Sequence, residues 1–278
     1  MKLLRYGPVG HEKPACLDAS GTMRDLSGVV ADFEGQGVSL EALDALKRLD
    51  LEALPVVDGA PRIGAALARV ETFYAIGLNY AQHAAEAGME PPKEPILFNK
   101  SASCLAGPHD ALTLPKGSEK SDWEVELGVV IGRRAQNVSV DDALSYVAGY
   151  CVINDLSERA YQIERGGQWT KGKSAPGFGP VGPYLVTADE VPDPQALGLR
   201  LSLNGEMVQD NFTSDMIFSV AEIIAHMSEF MALVPGDVIA TGTPEGVGMG
   251  MKPQRFLRSG DVMELEIDGL GKQRTEVL

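Results

Sequence analysis

The stretch DWEVELGVVIG, residues 122–132, decides how this chain is read. Its apolar, β-rich run ends at Gly132 and predicts a strand over Glu124–Ile131. On a strand, residues two apart share a face, so Glu124 and Glu126 stand side by side while Trp123 and Val125 pack on the other side. Two carboxylates this close repel unless a proton or a cation lies between them. A strand that opens directly into LGVVIG is a poor place to solvate both. Oxygen-only donors suit Mg²⁺, Mn²⁺ or Ca²⁺ rather than zinc. A solvated strand end would carry the same spacing. A third acid bears on the choice. Asp155 follows the apolar stretch YVAGYCVIN and precedes Leu-Ser-Glu-Arg. Alone it reads equally as the N-cap of a polar turn. Together, Glu124, Glu126 and Asp155 at the ends of two core strands could converge on one divalent ion, leaving open positions for water or a substrate oxygen.

Further strand candidates are Tyr146–Ile153, Tyr184–Val186, Leu199–Leu203, Asp237–Ala240 and Val262–Ile267, with Asn204-Gly205 a hairpin turn after LRLSL. Ser219–Phe230 is the clearest helix, with apolar residues at 220, 223, 224, 227 and 230. Many strands with few helices between them predict an α+β domain around a mixed sheet. Upstream, Lys2–Tyr6 and Ala15–Leu17 suggest a hairpin, and Ser39 an N-cap for a helix over Leu40–Leu51. Pro55 and Pro61 then break the chain, which places a small N-terminal domain at 1–70 and the main domain at 71–278.

The chain has 278 residues, 44% hydrophobic and 23% charged, the profile of a globular protein. A net charge of −15 argues against a nucleic-acid or anionic-membrane partner. Cys16, Cys104 and Cys151 are odd in number and widely spaced, so neither a disulfide framework nor a zinc knuckle is indicated. No signal-peptide pattern and no long apolar run is present, and the expected compartment is the cytoplasm.

Two motif matches fail on context. Residues 167–174, GQWTKGKS, fit a phosphate loop, but no buried strand precedes them and APGFGPVGP cannot open a helix. Residues 177–182, GFGPVG, fit a dinucleotide fingerprint, but Pro180 and Pro183 forbid the helix whose N-terminus would receive the pyrophosphate.

Elsewhere, chemistry-bearing residues lie in glycine- and alanine-rich stretches. His83 and Glu86 are three apart and would face the same way on a short helix, where the Glu can fix one imidazole tautomer. Lys173 follows Gly172 in the stretch WTKGKS. Residues 241–246, TGTPEG, follow the strand DVIA and could form an anion-binding nest or a plain turn. Residues 81–95 hold Gly88, Pro91, Pro92 and Pro95 and few bulky apolar side chains, which suggests a lid that is open without ligand.

Taken together, these stretches resemble the fumarylacetoacetate hydrolase family. The matching segments are FYAIGLNYAQHAAEAG (73–88), PILFNKSAS (95–103), DWEVELGVVIG (122–132), YCVINDLSERAYQ (150–162), WTKGKS (169–174) and PGDVIATGTPEGVG (235–248), in order. The resemblance implies a mixed β-sandwich roll and a divalent metal, Mg²⁺ or Mn²⁺, with Glu124, Glu126 and Asp155 as ligands. It also implies His83 and Glu86 as the base and its partner, Lys173 as a catalytic cation, and Arg159, Gln162 and Thr243 as substrate contacts. The implied reaction is hydrolysis of the C3–C4 bond of a 2,4-diketo acid to pyruvate and a carboxylic acid, in a homodimer. Within the family the chain looks most like bacterial hydrolases of 2,4-diketo-3-deoxy sugar acids, such as the L-rhamnonate-derived one. Hydroxymuconate isomerisation and oxaloacetate decarboxylation are alternatives using the same metal and enol chemistry.

Overall fold

The two apolar runs that flank the carboxylates pair with each other, and the rest of the chain is built around that pair. The computed structural model describes all 278 residues. In chain order the strands and helices are Lys2–Tyr6 (β1), Lys13–Leu17 (β2), Met23–Asp25 (β3), Leu40–Leu46 (α1), Phe73–Gly77 (β4), Ala81–Glu86 (α2), Ile96–Lys100 (β5), Val125–Ile131 (β6), Val140–Ala143 (α3), Val147–Asn154 (β7), Thr170–Lys173 (α4), Leu185–Thr187 (β8), Gly198–Leu203 (β9), Glu206–Phe212 (β10), Val220–Phe230 (α5), Val238–Ala240 (β11), Val262–Ile267 (β12) and Gly271–Glu276 (β13). Short turns and two-residue bridges join them.

Nine strands form one mixed sheet in the order β3-β2-β1-β8-β7-β6-β11-β4-β5. All neighbours are antiparallel except β11 and β4, which run parallel. Four more strands, β10-β9-β12-β13, form a second sheet that packs across β6 and β7. Every residue of β6 and β7 is buried, because one face meets the second sheet and the other the chain segments around it. This explains why those two strands read as continuous apolar runs rather than as alternating ones. The architecture is α+β, a mixed β-sandwich roll.

The hairpin between β9 and β10 turns at Asn204 (φ 54°) and Gly205 (φ 82°), both left-handed as a two-residue turn of this kind requires. Helix α5 begins with a capping box. Ser219 Oγ accepts from the Glu222 amide at 3.3 Å, and Glu222 Oε2 accepts from the Ser219 amide at 2.8 Å. Its buried face, Val220, Ile223, Ile224 and Met227, packs into the chain's own core beside α3. Each such side chain contributes about 1.5–3 kcal/mol.

One expectation needs correction. Helix α1 starts at its Ser39 cap but ends at Leu46 rather than Leu51. Asp50 accepts from the Glu52 amide at 3.2 Å and starts a separate turn over Leu51–Ala53. The boundary near Val70 is not marked by a break in sheet or core. Strand β1 pairs with β8, and Leu3, Cys16, Leu26 and Phe33 belong to the same apolar cluster as Val129 and Val152. The first seventy residues extend the main sheet instead of closing a core of their own. No helix is long and apolar enough to cross a membrane.

Candidate active site

Strands β6 and β7 pair with Val125 opposite Asn154, so Glu124 and Asp155 flank the end of the ladder and Glu126 lies one step in. Glu124, Glu126 and Asp155 are 4%, 1% and 1% exposed, and each offers an oxygen within 4.8 Å of the others. The Asn154 side chain accepts from the Glu124 amide at 3.1 Å, and Glu124 O accepts from the Asp155 amide at 2.9 Å. The solvated-strand-end alternative is therefore excluded: all three acids are inside the protein.

Buried charges of one sign require partners. Lys173 Nζ lies between Glu124 Oε2 (2.6 Å) and Asp155 Oδ2 (2.7 Å). Lys100 Nζ meets Asp155 Oδ1 at 2.5 Å. Arg159 Nη1 meets Glu124 Oε1 at 2.7 Å, and Arg159 Nε donates to Asp122 Oδ2 at 2.8 Å. Burial works to raise the Glu124 pKa, but Lys173 and then Arg159 outweigh it and hold it well below the usual carboxylate range. Burial likewise works to lower Lys173, yet Asp155 and Glu124 keep it above its ordinary value.

Glu126 is the exception. It has no cationic partner, only the Gly242 amide donating to its Oε2 at 2.8 Å. Burial first, then Asp155 and Glu124, push its carboxyl well above the ordinary value. A buried carboxylate short of one positive charge, beside two others with converging oxygens, fits a divalent cation. Its hard oxygen donors suit an ion such as Mg²⁺, Mn²⁺ or Ca²⁺ rather than a thiophilic one.

Helix α2 carries His83 into the same pocket, where it is 6% exposed. His83 Nδ1 lies 2.9 Å from Glu86 Oε1. Glu86 Oε2 accepts from the Gly246 amide at 3.0 Å, which pins α2 to the loop that follows β11. The expected lid thus sits closed, with the imidazole already in the pocket. That loop binds anions as its glycines suggested, but the anions are the protein's own. The Gly242 amide serves Glu126, Gly246 serves Glu86, and Gly248 and Met249 serve Asp122 at 2.7 and 3.0 Å. At Gly242 (φ 101°) an added Cβ would lie 2.6 Å from Asn79 Cβ, so the tight approach requires glycine.

Glu124, Glu126, Asp155, His83, Arg159, Gln162, Lys173 and Thr243 all line one pocket of about 210 Å³. Glu86 stands behind His83. Thr243 is oriented differently from the expectation for a hydroxyl that holds a substrate carboxylate. Its Oγ1 donates to Val125 O at 2.9 Å and accepts from Gln209 Nε2 at 2.8 Å. Its backbone amide makes no hydrogen bond within the chain and is the donor left for a ligand. Arg159 is only partly engaged: Nη1 also donates to Gln162 Oε1 at 3.2 Å, while its buried Nη2 makes no hydrogen bond.

Sequence reasoning missed Lys100, Asp122 and Gln209. Asp122 had a signal, because positions 122, 124 and 126 share one strand face. Lys100 had one too, a lysine closing the apolar strand ILFNK. Gln209 had none, since its side chain reaches Val125 and Thr243 from the second sheet. The apolar half of the pocket, with Phe98, Trp169, Met89, Ile163 and Met249 drawn from separate segments, was also invisible.

The family model described as Fumarylacetoacetate (FAA) hydrolase C-terminal matches residues 72–278. A Burkholderia ambifaria protein named only as a candidate hydrolase is 58% identical over 274 residues, covering 98% of this chain and 97% of its own. The solved fumarylacetoacetate hydrolase from psychrophilic Exiguobacterium antarcticum superposes with a TM-score of 0.88 at 34% identity, covering 100% of this chain and 99% of its own. The 2-hydroxyhepta-2,4-diene-1,7-dioate isomerase from Mycobacterium marinum superposes with a TM-score of 0.76 at 30% identity, covering 100% and 98%.

Proposed function

The chain belongs to the fumarylacetoacetate hydrolase family, and on that premise we propose that it is a metal-dependent hydrolase that cleaves the C3–C4 bond of a 2,4-diketo acid. The products are pyruvate and a carboxylic acid. The observation that carries this reading is the placement of a Glu-oriented histidine in the same pocket as three converging carboxylates.

Glu124, Glu126 and Asp155 would hold Mg²⁺ or Mn²⁺, which supplies positive charge for the keto acid's oxygens and for the enolate charge that develops on cleavage. The chain's own residues do the remainder. With its proton on Nδ1 and directed at Glu86, His83 has Nε2 free to take a proton from water. The water oxygen adds to the C4 carbonyl, and the C3–C4 bond breaks with its electron pair on C3. The acyl fragment leaves as a carboxylic acid, and the pyruvate enolate takes a proton at C3. Lys173 keeps Glu124 and Asp155 aimed and places a fixed cation beside the developing charge. The Thr243 amide, Arg159 and Gln162 are the donors available to the substrate's carboxylate.

Pyruvate release from acylpyruvates tests this. We expect activity that EDTA abolishes and that Mg²⁺ or Mn²⁺ restores. Full activity in excess EDTA, or no pyruvate from any acylpyruvate, overturns it. A second reading, enol–keto isomerisation of a hydroxymuconate, is favoured by the name of the Mycobacterium marinum relative. It uses the same carboxylates without water attack, and product analysis separates it from hydrolysis.

A further inference from the structure

The polar and apolar linings of the pocket are segregated by depth. The charged side chains that line it, together with His83, Gln162 and Thr243, lie deep, none more than 6% exposed. The lining side chains nearer the solvent are uncharged and largely apolar, the Trp169 indole N–H being their one polar group, with Met89 and Ile163, 49% and 50% exposed, at the mouth. Resting on the function proposed above, we propose that the substrate's acyl tail is apolar. We further propose that Met89, Phe98, Ile163, Trp169 and Met249 select it over hydroxylated tails and tails bearing a second carboxylate.

The apolar wall begins on the charged floor and runs outward. Lys173 Nζ lies 5.3 Å from the centroid of the Phe98 ring. Phe98 meets Trp169 edge-on at 5.2 Å. The indole rests against bare backbone at Gly77, where an added Cβ would lie 2.3 Å from Trp169 Cζ3. Met249 is anchored through its amide to Asp122, the carboxylate that also holds Arg159. The Met89 amide donates to Ala84 O at 2.9 Å, so Met89 rides on the end of the helix that carries His83. A keto acid head bound at the floor therefore sends its tail along this wall.

Apart from the Trp169 indole N–H, no side chain lining the outer pocket could pair with a terminal carboxylate or satisfy tail hydroxyls. Such groups would lose water without gaining a partner. Each methylene laid on the wall favours binding by up to about fourfold. The same reasoning disfavours the polyhydroxylated sugar-acid tail that the family resemblance suggested.

Calorimetric binding of 2-oxo acids to the Mg²⁺-loaded protein reads the tail wall without turnover. Three six-carbon acids isolate the tail chemistry: 2-oxohexanoate, 2-oxoadipate and 2-keto-3-deoxygluconate. Pyruvate and 2-oxooctanoate set the length dependence. We expect affinity to rise from pyruvate to 2-oxooctanoate by at least about tenfold. We expect 2-oxohexanoate to bind at least about tenfold tighter than either polar six-carbon acid. Ile163→Lys, at an exposed position, should shrink the 2-oxohexanoate to 2-oxoadipate ratio by about tenfold. Equal affinity along the series, preference for a polar tail, or an unchanged ratio in Ile163→Lys overturns the proposal. Length-dependent binding without pyruvate release from acylpyruvates would overturn the hydrolase reading and leave the tail assignment standing. Pyruvate release with flat length dependence would do the reverse.

Discussion

Glu126→Gln separates a metal site from a merely crowded cluster of acids. The substitution keeps shape, and the glutamine amide oxygen can still accept from the Gly242 amide. It removes the one carboxylate of the cluster that has no cationic partner. At Mg²⁺ about 100 times its dissociation constant, binding to the native state alone adds about 2.7 kcal/mol. For a chain of this size that raises the melting temperature by about 5 °C. Loss of a ligand carboxylate should weaken binding by about 100-fold or more, the upper range already seen for outer-sphere partners. At the same Mg²⁺ concentration the gain then falls to about 0.4 kcal/mol, or about 1 °C. In EDTA the order reverses. Burial, Asp155 and Glu124 raise the folded-state pKa of Glu126 above its unfolded value of 4.5. The native state therefore takes up the extra proton. This group's contribution to stability is fully present below the unfolded value and is lost as pH rises through the folded one. The metal-free variant should match or exceed the wild type, with a margin that widens as pH rises. Differential scanning calorimetry with Mg²⁺ and with EDTA, across pH 5 to 8 or so, measures both arms. An equal Mg²⁺ shift in the two proteins, or a variant that melts below the wild type in EDTA at every pH, would refute the reasoning.

Three further outcomes follow from the same geometry. His83→Ala should lower kcat by about 10²–10⁴ and keep the Mg²⁺-induced melting shift, and Glu86→Gln should be milder because it can still accept from Nδ1–H; wild-type turnover in His83→Ala would assign water activation elsewhere. Lys100→Met removes one partner of a buried ion pair with Asp155 and should cost about 3–5 kcal/mol in metal-free denaturant unfolding, so a loss below about 1 kcal/mol would show that Lys100 does not hold Asp155. We expect a homodimer by light scattering at micromolar concentration. The apolar face of α5 is already covered within the chain, but β10 has no strand on its outer side and exposes Met207 and Phe212; a monomer would contradict this.

The sequence by itself determined the elements whose signals are local. The β6 and β7 runs, the Asn204-Gly205 turn, the Ser219 cap and the alternation at 122, 124 and 126 each follow from the propensity or spacing of adjacent residues. So did the membership of the acid cluster, because two acids lie on one strand and the third ends its neighbour. The tertiary structure alone decided what those residues meet. That Lys100 neutralises Asp155, that Glu86 is tied to the Gly246 amide, and that Thr243 turns its hydroxyl to Val125 depend on contacts between residues 55 to 160 positions apart. The N-terminal seventy residues looked separate because proline breaks are local, whereas the pairing of β1 with β8 joins Lys2 to Val186. The apolar wall is the extreme case. Met89, Phe98, Ile163, Trp169 and Met249 lie on different segments, share no periodicity, and form a surface only because β5, the segment after α2, the helical turn Ala160–Glu164, the start of α4 and the loop after β11 converge on one pocket.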